Sequence, residues 1–324
     1  MRLDFDLTQE LIGTISAAYD APWTPGQTRF ERTDDNGRGQ IQKIAVPGGL
    51  DFYHYQTCFS NETEIHTHNP ADSGRYGLNI NLDDHGLRRQ VGDQEVVLQS
   101  RRPSGILVHP PGSHVFGKNP GGKASESAFI LFDEAFVDTY FPGLRPHLGP
   151  TRGGILFEHL DYRSEHLLRS AIDCLDQPLI AHARLLEFMA LFASNLGRRS
   201  PKQNPSVEGE RLASADLQGL FAAAATLRDP LAGHTPSIDE LAKIARMGTT
   251  KFKTNFRAVF GTPPGRYHLK VKLEFAHDQL TAGRATASEL SYSLGYSHPS
   301  KFTEAFKKHF GQLPSDLAPV PSRP

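Results

Sequence analysis

KFTEAFKKHFGQLP, residues 301–314, restates a pattern written fifty residues earlier as KFKTNFRAVFGTPP, residues 251–264. The two segments agree at the Lys, at three Phe, at the Gly and at the final Pro. Phe252, Phe256 and Phe260 are spaced by four, as are Phe302, Phe306 and Phe310, so each set falls on one face of an α-helix and can be buried together. Gly261 and Gly311 stand where a left-handed cap would end each helix, and Pro264 and Pro314 are expected to stop any continuation.

Upstream the repeat continues at an offset of forty-nine. Ser237-Ile-Asp-Glu240 and Thr286-Ala-Ser-Glu289 both have the capping-box form, in which the Ser or Thr hydroxyl and the Glu carboxylate satisfy each other's orphan backbone donors. Each unit is therefore predicted as a capped short helix, over residues 238–246 and then 287–294. A tight turn around Met247-Gly248, or around Gly295-Tyr296-Ser297, leads into the Phe-striped helix. Helix, short Gly-containing turn, helix is the helix-turn-helix plan.

The formal net charge of −1 over 324 residues hides a division. From Arg211 onward there are 15 Lys and Arg against 9 Asp and Glu, whereas the rest of the chain holds 20 against 27. A basic C-terminal third suggests a polyanionic partner. Lys301, Lys307 and Lys308 lie off the Phe face, where water or phosphate can reach them. A solvated helix face is the bland alternative, and the agreement of repeat, turn and charge sign argues against it.

The double unit, with ELSYSLGYSHPSKFTEAFKKHFGQLPSDL as its second half, closely resembles the DNA-binding domain of the AraC/XylS family of bacterial transcription regulators, over residues 213–317. The resemblance implies seven helices, with a first helix over 213–227 closed before Pro230. A central helix over 265–280, ended by Gly283, would hold two recognition helices about one DNA turn, roughly 34 Å, apart. Matched to the family pattern, Thr249, Thr250, Lys253 and Thr254 in the first unit and His298, Ser300, Lys301 and Glu304 in the second would read bases. Lys donates to guanine, Glu accepts from cytosine, and Thr packs on the thymine methyl. Many relatives carry Arg where Glu304 stands, which puts the role of that acid in doubt. Arg257, Lys307 and Lys308 suit phosphate positioning. Further partners implied by the family are RNA polymerase and a second copy of the chain, as a homodimer.

Residues 199–211 begin with RSPKQNPSVEGE, polar and Pro-broken, and are expected to be a linker. Residues 161–198 read as two helices broken near Gln177-Pro178. Leu185, Phe188, Met189 and Phe192 form an apolar stripe that serves either as core or as a dimer face. This helix pair, together with PSIDELAKIARMGTTKFKTNFRAVFG, resembles the siderophore-responsive, PchR-like branch of the family, which implies a small-molecule effector and suggests an iron chelate.

Over residues 1–160 the period changes to two. Tyr76, Leu78, Ile80 and Leu82 alternate with Gly77, Asn79 and Asn81 before the turn DDHG, and 96–99 and 106–109 follow as short strands. Many short strands with Gly and Pro turns indicate a β-sandwich or barrel. The family favours a cupin-like effector domain here, so the whole is expected to be α+β, with an N-terminal cupin-like β domain, a helical coupling or dimerisation segment and an all-α double helix-turn-helix domain over 212–324. Ile65-His66-Thr-His68 puts two imidazoles on one strand face, and His109-Pro-Pro-Gly-Ser-His114 adds two more. Such a set can hold a metal, line a pocket mouth or be simply exposed; the acid that would complete a cupin metal motif is missing, Asp72 being a poor stand-in, so no bound metal is assigned. Tyr53, Tyr55, Phe59 and Trp23 could equally line an effector cavity or fill core; the three on one strand share a single alternation phase.

No N-terminal apolar run and no stretch of about eighteen apolar residues is read, so neither a signal peptide nor a membrane span is expected. Two Cys, Cys58 and Cys174, suit reduced thiols in a cytoplasm. No phosphate loop, dinucleotide fingerprint or Gly-x-Ser-x-Gly elbow occurs. The sequence therefore points to a cytoplasmic, effector-responsive, DNA-binding activator and not to an enzyme. A metal-dependent cupin enzyme with an appended DNA-binding domain and a ligand-independent architectural protein are the alternatives.

Overall fold

The structure, a computed structural model, describes residues 1–19, 21–83, 87–91, 94–98, 105–148, 156–158, 160, 162–197, 214–232 and 235–317. The expected linker over 199–211 and most of the DDHG turn lie outside the described residues. The chain divides into a larger unit, mainly Met1–Leu160 and Ser164–Ser214, and a smaller one, mainly Ala215–Arg257 and Thr262–Pro324.

The larger unit begins with β1 (Arg2–Asp6), α1 (Leu11–Ala18), β2 (Arg29–Asp34), β3 (Gly37–Val46), β4 (Leu50–Phe59) and β5 (Thr63–His68). It continues with β6 (Arg75–Asn81), β7 (Leu87–Val91), β8 (Gln94–Leu98), β9 (Ile106–His109), β10 (His114–Asn119) and β11 (Ala124–Asp133). After these come α2 (Glu134–Tyr140), α3 (Arg145–Leu148), β12 (Leu156–Glu158), α4 (Tyr162–Ile172) and α5 (Pro178–Gly197). One sheet runs β1-β5-β10-β7-β8 and the other β12-β9-β6-β11-β4-β3-β2. The sequence reading of an uninterrupted strand region misses α1, α2 and α3, because segments of 8, 7 and 4 residues are too short to display a helical period.

Alternation along the central strands builds three layers. On the larger sheet Leu78, Ile80, Ile130 and Phe132 turn to one side, where they pack with Phe136 of α2, Leu168 of α4 and Leu185, Phe188, Met189 and Phe192 of α5. Tyr53, Phe129 and Leu131 turn to the other side and share a second core with Leu3, Leu11, Ile12 and Ile15. The apolar stripe of α5 is thus core of this unit. A polar clamp reinforces the helical layer: Arg169 of α4 donates to Glu126 Oε2 at 3.2 Å and to the Leu82 carbonyl at 2.6 Å, while Glu126 Oε1 meets His54 Nε2 at 2.8 Å.

Contrary to the expectation of no membrane-length apolar stretch, α5 has 20 residues and an 18-residue window of mean hydropathy 1.3, long and apolar enough by length and composition to cross a membrane. Arg184 and Glu187 interrupt the run of apolar letters and so mask the average. In the fold, the stripe that raises the average is buried against the larger sheet.

The smaller unit is helical: α6 (Ser214–Thr226), α7 (Ile238–Ile244), α8 (Thr249–Phe260), α9 (Pro264–Thr281), α10 (Ala287–Ser293), α11 (Pro299–Phe310) and a 3-10 turn over Pro314–Asp316. Pro264 and Pro314 do more than stop the preceding helix, since each starts the next helical segment. The missing N–H is one of the orphan donors of a first turn, and the fixed φ already suits a helix.

Candidate nucleic-acid interface

Both capping boxes form. Glu240 N donates to Ser237 Oγ at 3.3 Å while Ser237 N donates to Glu240 Oε2 at 2.7 Å; Glu289 N and Thr286 N make the matching pair at 3.3 and 2.8 Å. The turns that follow are superposable bond for bond. Met247 N donates to Ala242 O and Tyr296 N to Ser291 O, each at 2.9 Å, and Arg246 N and Gly295 N donate to Lys243 O and Tyr292 O, each at 3.0 Å. This is a Schellman closure, which needs a left-handed residue at its apex. The second copy uses Gly295 at φ +80°; the first uses Arg246 at φ +55°, the one non-Gly positive φ among the described residues.

The Phe stripes set the rotation of both second helices. Phe252, Phe256, Phe302 and Phe306 are fully buried, and the pair within each helix is tilted, with ring centroids 5.4 and 5.6 Å apart. Burying one face of each amphipathic helix commits the opposite face to solvent. Thr250, Lys253, Thr254 and Arg257 on α8, and Ser300, Lys301, Glu304, Lys307 and Lys308 on α11, are exposed, with Thr249 half-buried. Lys301 Nζ lies 3.8 Å from Glu304, both side chains at least 70% exposed, so this pair is worth little and is free to separate. Exposed His298 is the N-cap of α11. Its Nδ1 accepts from Ser300 N at 3.3 Å and faces Ser300 Oγ at 2.9 Å, an arrangement that leaves the proton on Nε2, as an outward donor.

α9 is packed by both copies. Tyr267 meets Phe256 edge-on at 5.4 Å, and Leu273, Ala276 and Leu280 share a core with Phe302 and Phe306. Polar bonds add orientation: Lys272 Nζ donates to the Leu294 carbonyl at 2.9 Å, His309 Nε2 lies 3.1 Å from Glu274 Oε1, and His268 Nδ1 lies 2.9 Å from the Leu227 carbonyl. Under α7, a Cβ on Gly219 of α6 would collide with the Ala245 carbonyl, so only glycine permits that approach.

The residues considered for an effector do not form one group. His66 and His68 of β5 and His114 of β10 do come together on the outer face of the smaller sheet, with ring centroids 5.9 Å (His66 to His114) and 6.0 Å (His68 to His114) apart. Burial, then His68 and His66, push the His114 imidazole below its usual value, as adjacent cations would. Among the described residues no group of three His, Cys, Asp or Glu is placed to hold a metal ion. His109 belongs to the other sheet and is fully buried beside Phe129, with neither ring nitrogen hydrogen-bonded among the described residues; burial and then the nearby Arg89 charge push it down to about 3. The turn between His109 and His114 is closed by Ser113 N to Pro110 O at 3.2 Å, with Gly112 at φ +80°. Tyr53 is core, its hydroxyl donating to Glu10 at 3.1 Å, and Trp23 lies over Gly13.

Tyr55 does reach a cavity. Between the two sheets lies a space of about 70 Å3 whose walls include Leu3, Phe5, Ile41, Tyr55, Phe59 and Phe129. Its polar lining includes Asn79, Asn119, Ser127 and Arg89, a residue that is 5% exposed. Sequence reasoning missed Arg89. The available signal was phase: in LRRQV, Arg89 shares the face of Leu87, two residues before it, placing a cation on the inward side of a strand.

Residues 241–318 match the family described as Helix-turn-helix domain. The chain is 32% identical over 97 residues to a "Putative AraC-like transcription regulator" of Streptomyces lividans, covering 30% of this chain and 31% of that protein. It is 27% identical over 154 residues to the "Transcriptional activator RhrA" of Rhizobium meliloti, covering 47% and 45%. The chain thus matches less than half of the length of each of these relatives. ToxT from Vibrio cholerae O395 aligns over 83% of this chain and 96% of its own at 11% identity and a TM-score of 0.34, too low to relate the folds. The C-terminal part is accordingly a helix-turn-helix domain similar to those of AraC-like transcription regulators.

Proposed function

We propose that the protein is a transcription regulator that binds specific double-stranded DNA through its helical unit and takes a small-molecule effector in its N-terminal sandwich. The observation that carries this reading is the twice-built helix-turn-helix, in which buried Phe stripes turn two different sets of Thr, Lys, His and Glu side chains outward. Each second helix would enter a major groove, with Thr249, Thr250, Lys253 and Thr254 reading one site and His298, Ser300, Lys301 and Glu304 the next, about one turn away. Arg257, Lys307 and Lys308 would hold phosphates. Activation through contact with RNA polymerase, a cupin-like sensing role for the sandwich and a homodimeric state complete the reading. Effector binding changes transcription only if it favours one functional state over another.

Gel-shift titration with the upstream region of the protein's own operon against scrambled DNA, across a salt series, tests it. Specific binding should exceed nonspecific binding by about 1,000-fold or more at physiological salt. A ratio under about tenfold would leave an architectural DNA-binding protein.

A further inference from the structure

We propose that Arg246 binds a DNA phosphate beside the groove that α8 enters, a contact that the first helix-turn-helix makes and the second does not. The inference rests on the DNA-binding reading and adds to it a residue outside the set matched to the family pattern.

The backbone is the first reason. Both turns close with the same pair of hydrogen bonds, and in the second the left-handed apex is Gly295 at φ +80°. In the first, the same apex is Arg246 at φ +55°. The left-handed region crowds Cβ against the following carbonyl, and Asn and Asp enter it most readily because their short polar groups bond to nearby backbone. Arginine has no such local bond. The turn thus favours glycine for its shape and holds arginine against that preference. A residue kept in a disfavoured conformation beside a functional surface is a candidate for that function.

Nothing within the folded unit accounts for the side chain. Arg246 is exposed, and among the described residues its guanidinium makes no hydrogen bond or ion pair. An arginine that served only to solvate the surface would do so equally well one residue earlier, where the helical backbone carries no such cost. That position is Ile244 or Ala245 in this chain, and Ile244 is 38% exposed.

Position supplies the role. Arg246 stands three residues before Thr249, the first residue of α8. When the N-terminal part of a second helix meets base edges, the turn ahead of it comes to the groove wall, where phosphates lie. An arginine there can give two parallel N–H donors to one phosphate, which orients the helix as well as adding affinity. The first unit also lacks a charge that the second has available. Lys251 and Lys301 occupy equivalent places in the repeat; Lys251 Nζ is drawn to Asp216 of α6 at 2.7 Å, whereas Lys301 has a loose, exposed neighbour in Glu304 at 3.8 Å. Arg246 restores a free cation to the unit whose Lys251 is engaged within the fold.

The test uses the full-length protein and two duplexes, the upstream region of its own operon and a scrambled sequence, titrated at several salt concentrations. Arg246→Gly removes the charge and relaxes the turn, so Tm should hold or rise while DNA binding weakens. Affinity for both duplexes should fall about tenfold at low salt. The slope of log K against log salt should decrease by about 0.9, the share of one phosphate, with preference for the operator unchanged. Arg246→Lys keeps a charge in the same place without the two-pronged geometry, and should recover most of the slope and part of the affinity. Lys243→Ala removes a neighbouring exposed charge from α7 and should change affinity by less than about twofold. An equal effect of Lys243→Ala would mean a general field and no contact. Unchanged affinity and slope in Arg246→Gly, an altered base preference, or a lower Tm with DNA binding intact would likewise overturn the proposal. A phosphate contact is read on scrambled DNA as well as on the operator. Loss of specificity in the unsubstituted protein therefore sinks the regulator reading alone, and an unchanged slope in Arg246→Gly sinks this inference alone.

Discussion

Nε2 of His309, in the last turn of α11, lies 3.1 Å from Oε1 of Glu274, a carboxylate on α9 whose side chain is only 4% exposed. The contact ties the end of one striped helix to the helix that both copies share. It also explains why α11 ends in Lys307-Lys308-His309 and yet commits only two of these side chains to solvent: the third turns inward to a buried acid.

Replacing His309 with Leu takes a hydrogen-bond partner from that buried carboxylate. The expected cost is about 1–3 kcal/mol, seen as a lower midpoint in urea or thermal unfolding. An unchanged midpoint would show that the bond does not hold α11 to α9.

The two turns offer a reciprocal experiment. Arg246 and Gly295 occupy the same left-handed apex, a conformation that costs an L-residue about 1–2 kcal/mol, part of which glycine returns as chain entropy. Arg246→Gly should stabilise the DNA-free protein by about 0.5–1 kcal/mol, whereas Gly295→Ala should destabilise it by about 1 kcal/mol. Loss of stability in both variants would show that Arg246 is held by contacts that outweigh its strain.

On DNA, the exposed residues separate by role. Lys253→Ala and Lys301→Ala should each cost about 1–3 kcal/mol on specific DNA and relax preference at one base step. Lys308→Ala should weaken all sequences alike and reduce the slope of log K against log salt by about 0.9. Competition assays on a single-base-substituted operator panel, repeated at several salt concentrations, distinguish these outcomes. A Lys308 variant that altered base preference would place that side chain in the groove.

His109 supplies an acid dependence. In the folded protein its imidazole is pushed down to about 3 by burial, while unfolded it titrates near about 6.5. Above the unfolded value both states are neutral and nothing is gained or lost. As pH falls below it, the unfolded state takes up a proton that the folded state refuses, so stability declines by about 1.4 kcal/mol per pH unit toward the folded value. His109→Leu should flatten the stability curve between pH 6 and 4 by about one proton's slope. An unchanged slope would mean that the buried ring takes up a proton in the folded state.

The sequence by itself determined the local framework of the helical unit. Capping boxes, Phe spacing and Gly ends are rules about neighbours one to four residues apart, and Ser237, Thr286, Gly261 and Gly311 stand in the predicted geometry. Spacing also put His66 and His68 on one strand face. What the tertiary structure decided depends on partners far apart in the chain. His109 and His114 are five residues apart yet lie in different sheets, because the strand before the Pro110–Ser113 turn pairs with β6 and the strand after it with β5. Arg89 reads in the sequence as one of two adjacent cations on a short strand; only the pairing of β7 with β10 and the opposing sheet turn it into a buried charge. The same holds for α5, whose composition suits a membrane and whose stripe packs with residues of β6 and β11, strands that end more than forty residues earlier. Local rules specify which face of an element is apolar, and only the assembled fold decides what that face meets and which polar groups are buried with it.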